Sequence, residues 1–183
     1  RATLDGAVWI THLKPLGTEE RSFKRPAVTA LGAMAEGLPE IPLPDAGVTW
    51  RDIWYEERGP VGYLHFPFCN GAMSTAQCKR LEAAYRAACR RPTRVVVLMG
   101  GEDFWSNGLH LGVIEAADSA AEESWCNINA MDDLCEALLT TESHLTVAAL
   151  RGNAGAGGVF LALAADHVAA SSRVVLNPHY KNM

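Results

Sequence analysis

Arg151-Gly152-Asn153-Ala154-Gly155-Ala156-Gly157-Gly158-Val159-Phe160 decides the fold. The apolar run Thr146–Leu150 leads into it and the apolar stretch Val159–Asp166 leaves it, so a buried strand passes through a glycine loop into a helix. An earlier stretch repeats the plan. Arg94–Met99 reads Arg-Val-Val-Val-Leu-Met, the kind of run a parallel sheet buries on both faces. Gly100-Gly101-Glu102-Asp103-Phe104-Trp105-Ser106-Asn107-Gly108-Leu109-His110-Leu111 follows, with Gly100–Gly108 read as loop. Between the two strands, Glu115–Thr141 is predicted to be helical with a break near Ala121.

Working outward, Ile53–Glu57 and Val61–Phe66 are predicted strands around a Gly59-Pro60 turn, and Asn70-Gly71 marks another turn. Ser74 is a candidate N-cap for a helix to about Arg91, where Cys78, Leu81, Ala84, Tyr85, Ala88 and Cys89 recur at helical spacing and Pro92 ends the run. His167–Ala170 and Val174–Leu176 are short predicted strands. Strands alternating with helices predict an α/β fold with right-handed crossovers. The N-terminal part differs: Gly6–Leu13 is a predicted strand. Residues 15–49, with Pro15, Pro26, Pro39, Pro42 and Pro44, are a predicted linker packed over the surface by Phe23, Val28 and Leu31. Residues 50–183 then form the α/β domain.

Of 183 residues, 49% are hydrophobic and 20% charged, which excludes a wholly disordered chain. A net charge of −5 without a basic stripe argues against nucleic acid as a partner, and no apolar run is long enough to span a membrane. Five cysteines without metal-ligand spacing read as free thiols of a cytoplasmic protein, and the scattered histidines predict no metal. The first residue is Arg1 and the last segment, Tyr180–Met183, carries no stop signal; a piece of a longer polypeptide is expected.

In open α/β sheets, ligands bind beyond the carboxyl ends of the strands, where both glycine loops lie. The second loop is no P-loop, because no Gly-Lys-Ser/Thr follows, and Phe160 interrupts the dinucleotide pattern that Gly155-x-Gly157 begins. Two uses remain open. Either Gly157 and Gly158 serve only close helix–strand packing, or one amide from each loop converges on a carbonyl oxygen and stabilises a developing anion.

The loops resemble those of the crotonase (enoyl-CoA hydratase/isomerase) superfamily. Phe104–Leu111 is similar to its Phe-x-x-Gly-x-Asp-Leu signature, with an extra residue and His110 in the acidic slot. Gly152–Asp166 is similar to its Asn-Gly-x-Ala-x-Gly-Gly-Gly-x-x-Leu-Ala-x-x-x-Asp signature. The resemblance implies a crotonase (ClpP-like) ββα superhelix, truncated at its C-terminal side, with oxyanion amides at Leu109 and Gly157 holding the thioester carbonyl of an acyl-CoA. The two hydratase glutamates fall at Phe160 and His179, so ordinary enoyl-CoA hydration is not expected.

A narrower likeness rests on Gly100–Leu111, Glu123–Leu134 and Leu176–Met183. These resemble the family of hydrogenase-maturation proteins that fuse a formyl-tetrahydrofolate-using formyltransferase to a crotonase domain. The likeness implies breakdown of formyl-CoA to carbon monoxide and coenzyme A, with carbon monoxide passing to nickel–iron hydrogenase maturation. Asp5–Ile10 resembles the end of the formyltransferase C-terminal subdomain, so residues 1–14 are assigned to it and formyl-tetrahydrofolate to a domain upstream. Two other readings stay open: another crotonase reaction such as isomerisation or thioester hydrolysis, or a silent acyl-CoA-binding domain.

Decarbonylation needs a base within reach of the formyl proton. By the resemblance His179 falls in a crotonase catalytic slot, and an imidazole is a side chain suited to proton transfer; Tyr180 is a candidate donor to the sulfur. Ser106, Asn107, Gly108 and Gly158 are expected to shape the substrate site, His110 to hold the first loop, and Glu115 to reach inward from its helix. Trp105 and Trp125 are expected in the core, Asp132-Asp133 on a solvated helix face, and Asp166 as a cap after its helix.

Overall fold

The structure, a computed structural model, describes residues 3–6, 8–16, 23–38 and 50–178. His179 and Tyr180 lie outside the described residues. The centre is a five-stranded sheet built from β3 (Trp54–Arg58), β4 (Val61–His65), β6 (Val95–Met99), β9 (Leu145–Leu150) and β11 (His167–Ala170), in the order β11-β9-β6-β4-β3. β3 runs antiparallel to β4 in a hairpin that pairs Trp54 with His65 and Arg58 with Val61; the other neighbours are parallel. Parallel neighbours need long crossovers. Those between β4 and β6 and between β6 and β9 are made by α2 (Thr75–Ala88) and α4 (Ala120–Leu139).

α2 begins where the sequence predicts it. The Ser74 hydroxyl accepts from the Gln77 N–H, and the Gln77 side chain accepts from the Ser74 N–H, a complete capping box. Cys78, Leu81, Tyr85 and Ala88 of α2 meet Ala130, Leu134 and Leu138 of α4, and both helices cover Leu64, Val96, Leu98 and Ala148 of the sheet. Burial pushes the Cys78 thiol up to about 12, so it serves packing and not nucleophilic chemistry. Trp105 is 1% exposed, its ring set edge-on to Phe66 with centroids 5.3 Å apart, and its Nε1 donates to the Leu98 carbonyl.

Several expectations need correction. The stretch read as loop after β6 contains β7 (Phe104–Ser106) and β8 (Gly108–Leu109). β7 belongs to a parallel sheet of order β12-β10-β7, with β10 (Asn153–Gly155) and β12 (Leu176–Asn177); β8 pairs with β5 (Ala72–Met73). These pairings join distant segments, so local propensity does not announce them. The helix expected from Glu115 starts later: a short α3 (Leu111–Ile114) lies before Glu115, and α4 begins after Ser119, whose hydroxyl accepts from the Glu122 N–H. Trp125 is 70% exposed, not core. β9, expected to be buried, alternates buried and half-buried residues after an exposed Leu145, so only one of its faces is fully covered.

In the N-terminal part, pairing among the described residues of the predicted strand is confined to β1 (His12–Leu13), which runs antiparallel to β2 (Arg25–Pro26). The predicted linker is partly regular. α1 (Ala27–Leu31) and a 3-10 turn at Gly32–Ala35 follow β2, and Ala27 is buried. Asp132 and Asp133 are exposed as expected. Asp166 ties its helix end to β9: its carboxylate accepts from the Thr146 N–H and hydroxyl at 2.8 Å each, which holds it below the usual carboxylate range. Among the described residues no helix is long and apolar enough to cross a membrane.

Candidate active site

The first loop is built by short strands and one sharp turn. β7 lies beside β10, with Asn153 opposite Phe104 and Ala154 opposite Ser106. The Ser106 hydroxyl is buried and accepts from the Gly108 N–H at 3.1 Å. Asn107 donates from its backbone to the Gly71 carbonyl and from its amide to the Asn70 carbonyl, both at 2.7 Å. The chain reverses at Gly108, φ +74°, a conformation that costs other residues about 1–2 kcal/mol. It then runs along β5, where the His110 N–H donates to the Met73 carbonyl at 3.1 Å.

The second loop closes against the first through backbone. Gly157 opens α5 (Gly157–Leu163), and its N–H is one of the first-turn donors that have no carbonyl a turn earlier. A Cβ placed on Gly108 would stand 2.8 Å from the Gly157 nitrogen. One on Gly158 would collide with the Ser106 carbonyl, and one on Gly155 would stand 2.9 Å from the Asn107 Oδ1. The structure thus brings Ser106, Asn107, Gly108 and Leu109 together with Gly157 and Gly158. Glycine is needed at Gly108 and Gly158 for the approach itself.

His110 supports this cluster from behind. It is buried, its Nδ1 accepts from the Val113 N–H at 3.3 Å and so caps α3, and its ring stacks on His12 with centroids 5.8 Å apart and planes 12° off parallel. Burial, then the neighbouring His12, lowers the His110 pKa below 6.5. Burial and then Lys24 lower that of His12. Sequence reasoning missed Asn127. Its amide is fully buried, with Nδ2 donating to the Met73 carbonyl at 3.0 Å and Oδ1 accepting from the His110 N–H at 3.3 Å. An Asn in register with the apolar stripe of Ala130, Met131 and Leu134 was the available signal.

Glu115 is not brought to the cluster. It is the exposed C-cap of α3, and among the described residues no hydrogen bond joins its carboxylate to either loop. Phe160 is 48% exposed on α5. β12 runs parallel to β10, and the Ala156 N–H donates to the Asn177 carbonyl at 2.9 Å. The chain therefore leaves β12 at Pro178 beside the second loop. A cleft of about 380 Å³, with no signal in the sequence, lies at the carboxyl ends of β4 and β6, between the stacked Trp54–His65 pair and Arg151.

Parallel strands wound through crossover helices, with paired glycine loops at their carboxyl edge, make this a crotonase-fold α/β protein. Residues 64–177 match the enoyl-CoA hydratase/isomerase family, and the chain belongs to that family. It is 57% identical over its 183 residues to the hydrogenase maturation factor HoxX of Bradyrhizobium diazoefficiens, covering 31% of that protein. Among solved structures it is similar to HypX from Aquifex aeolicus in complex with tetrahydrofolic acid. That likeness has 53% identity and a TM-score of 0.92, over 98% of this chain and 32% of the other. The chain thus spans about a third of the length of these relatives. An enoyl-CoA hydratase from Thermoplasma volcanium shares the fold at 22% identity, with a TM-score of 0.61 over 69% of this chain and 51% of the other.

Proposed function

We propose that this chain is the crotonase part of a hydrogenase maturation factor and that it breaks formyl-CoA down to carbon monoxide and coenzyme A. The observation that carries the reading is the backbone interlock of Gly108 with Gly157, which sets two amide-bearing loops against each other in a chain so similar to HoxX. Residues 1–14 are then the end of a formyltransferase subdomain, and formyl-tetrahydrofolate serves the domain upstream. The protein would work in the cytoplasm, where its cysteines stay reduced.

In this reading the Leu109 and Gly157 N–H groups donate to the formyl oxygen, which polarises the carbonyl and acidifies its C–H. His179 takes the formyl proton. The C–H electron pair stays on carbon and becomes the lone pair of carbon monoxide. The C–S pair leaves with sulfur, and Tyr180 supplies the proton that makes the thiol. Pro178 fixes the backbone just before these two residues. Ser106, Asn107, Gly108 and Gly158 shape the loops, and His110 holds the first in place. The same chemistry gives no role to a hydratase carboxylate, in keeping with Phe160.

The test is carbon monoxide release from formyl-CoA by the complete protein, read by carboxymyoglobin formation. Wild type is expected to release carbon monoxide and free coenzyme A in equal amounts. His179→Gln is expected to lose release by at least ~10²-fold, the usual worth of a general base, and to keep coenzyme A binding. Formate in place of carbon monoxide from the wild type would overturn the reaction. Full release by the variant would move the proton step to another residue.

A further inference from the structure

Ala156 carries a methyl where the backbone suits glycine. Its φ of 45° and ψ of −126° lie in a region that side chains avoid and glycine occupies freely. The other non-glycine residue at positive φ among the described residues is Asn70, at φ 54° and ψ 18°, the ordinary left-handed conformation that Asn tolerates. Asn70 is thus relaxed and Ala156 is strained.

Neighbouring structure holds the strain in place. Gly155 is paired with Asn177, the Ala156 N–H donates to the Asn177 carbonyl, and Gly157 begins a helix whose first nitrogen abuts Gly108. A glycine at position 156 would satisfy all of these contacts without strain, so the methyl itself is what the alanine adds. Its position follows from the torsion angle. At this ψ the Cβ nearly eclipses the Gly157 nitrogen, and in a trans peptide the hydrogen of that nitrogen lies on the side of the preceding Cα. The methyl therefore stands directly beside the Gly157 N–H.

We propose that Ala156 sets the size limit of the acyl group: its methyl fills the room beside the Gly157 amide that an acetyl or longer chain would need, and leaves room for a one-carbon acyl group. The proposal rests on the reading of that amide as the donor to the acyl oxygen. A formyl carbon bears only hydrogen beyond its oxygen and sulfur, whereas an acetyl carbon bears a second methyl. One such carbon in a fitted pocket changes selectivity by about 10–200-fold.

The experiment measures binding of coenzyme A, acetyl-CoA and propionyl-CoA to the complete wild-type protein and to Ala156→Gly by calorimetry. Wild type is expected to bind acetyl-CoA at least about tenfold more weakly than coenzyme A, and the variant to narrow that gap by about tenfold. The variant is also expected to melt no lower than wild type, because glycine relaxes the backbone. An unchanged gap, or a lower melting temperature in the variant, overturns the proposal. Binding needs no chemistry, so a wild type that discriminates among acyl groups but releases no carbon monoxide from formyl-CoA refutes the proposed reaction alone. Failure of wild type to bind any coenzyme A species refutes both.

Discussion

Replacing Gly108 by alanine tests whether the meeting of the two loops matters for chemistry. Two costs arise, and they can be separated. The first is conformational: φ is +74°, so any side chain loses about 1–2 kcal/mol there. The second is steric: the new Cβ would sit 2.8 Å from the Gly157 nitrogen, where ordinary contact begins at 3.4 Å. The loops must then part by about 0.6 Å, and misplacements near 1 Å cost on the order of 10²-fold in rate. The expected result in the complete protein is a tenfold to hundredfold fall in carbon monoxide release. Gly59 provides the control. Its φ is +58°, it lies in the β3–β4 turn, and nothing stands within 4 Å of an added Cβ. Gly59→Ala should therefore lose a similar stability in denaturant titration and keep the wild-type rate. A Gly108→Ala enzyme with the wild-type rate, or an equal loss of rate in Gly59→Ala, would refute the reasoning.

Asp166→Asn keeps an acceptor for Thr146 and removes the charge. The folded carboxylate titrates below 3.8, so its contribution is present above that value and is lost as pH falls through the folded pKa. The variant should melt below wild type at pH 7, with the gap closing under strong acid; a gap that ignores pH would rule this out. Asn127→Leu removes a fully buried amide that serves both the Met73 carbonyl and the His110 N–H. It should destabilise by about 1–3 kcal/mol, whereas Asn129→Leu, on the exposed face of α4, should change little; equal effects at both sites would contradict the assignment.

Where the fold follows local rules, the sequence was readable. The N-cap at Ser74, the hairpin around Gly59-Pro60 and the hydrophobic stripe of α2 each appear from the sequence alone, and each is found in place. The misses are non-local. Nothing in Ser106-Asn107-Gly108-Leu109 reveals that its partner is Ala72-Met73, because that pairing is created by the packing of segments far apart in the chain. Trp125 fails for a related reason: its size suggests burial, but on α4 it lies on the face opposite the stripe that meets α2. The candidate site divides along the same line. Its glycines could be picked out from sequence, whereas the strain at Ala156 and the support from Asn127 and His12 need coordinates.

The division also explains how the site is held. The large sheet carries the core, but the loops are fixed by the two small parallel sheets, β5–β8 and β12-β10-β7. The first anchors His110, the residue after Leu109, whose N–H donates to the Met73 carbonyl, and the second joins the Gly157 loop to β12 through the Ala156–Asn177 hydrogen bond. Gly108 against Gly157 and Gly158 against Ser106 lock one small sheet to the other. Most of these contacts are made by backbone atoms at positions where only glycine fits, so many side chains at the mouth of the site can change while the loop spacing stays constant. On the proposed reading, a residue such as Phe160 can change without rebuilding the contact between the loops. The exception is Ala156, which adds a methyl within that frame and so changes the space beside one amide without moving it.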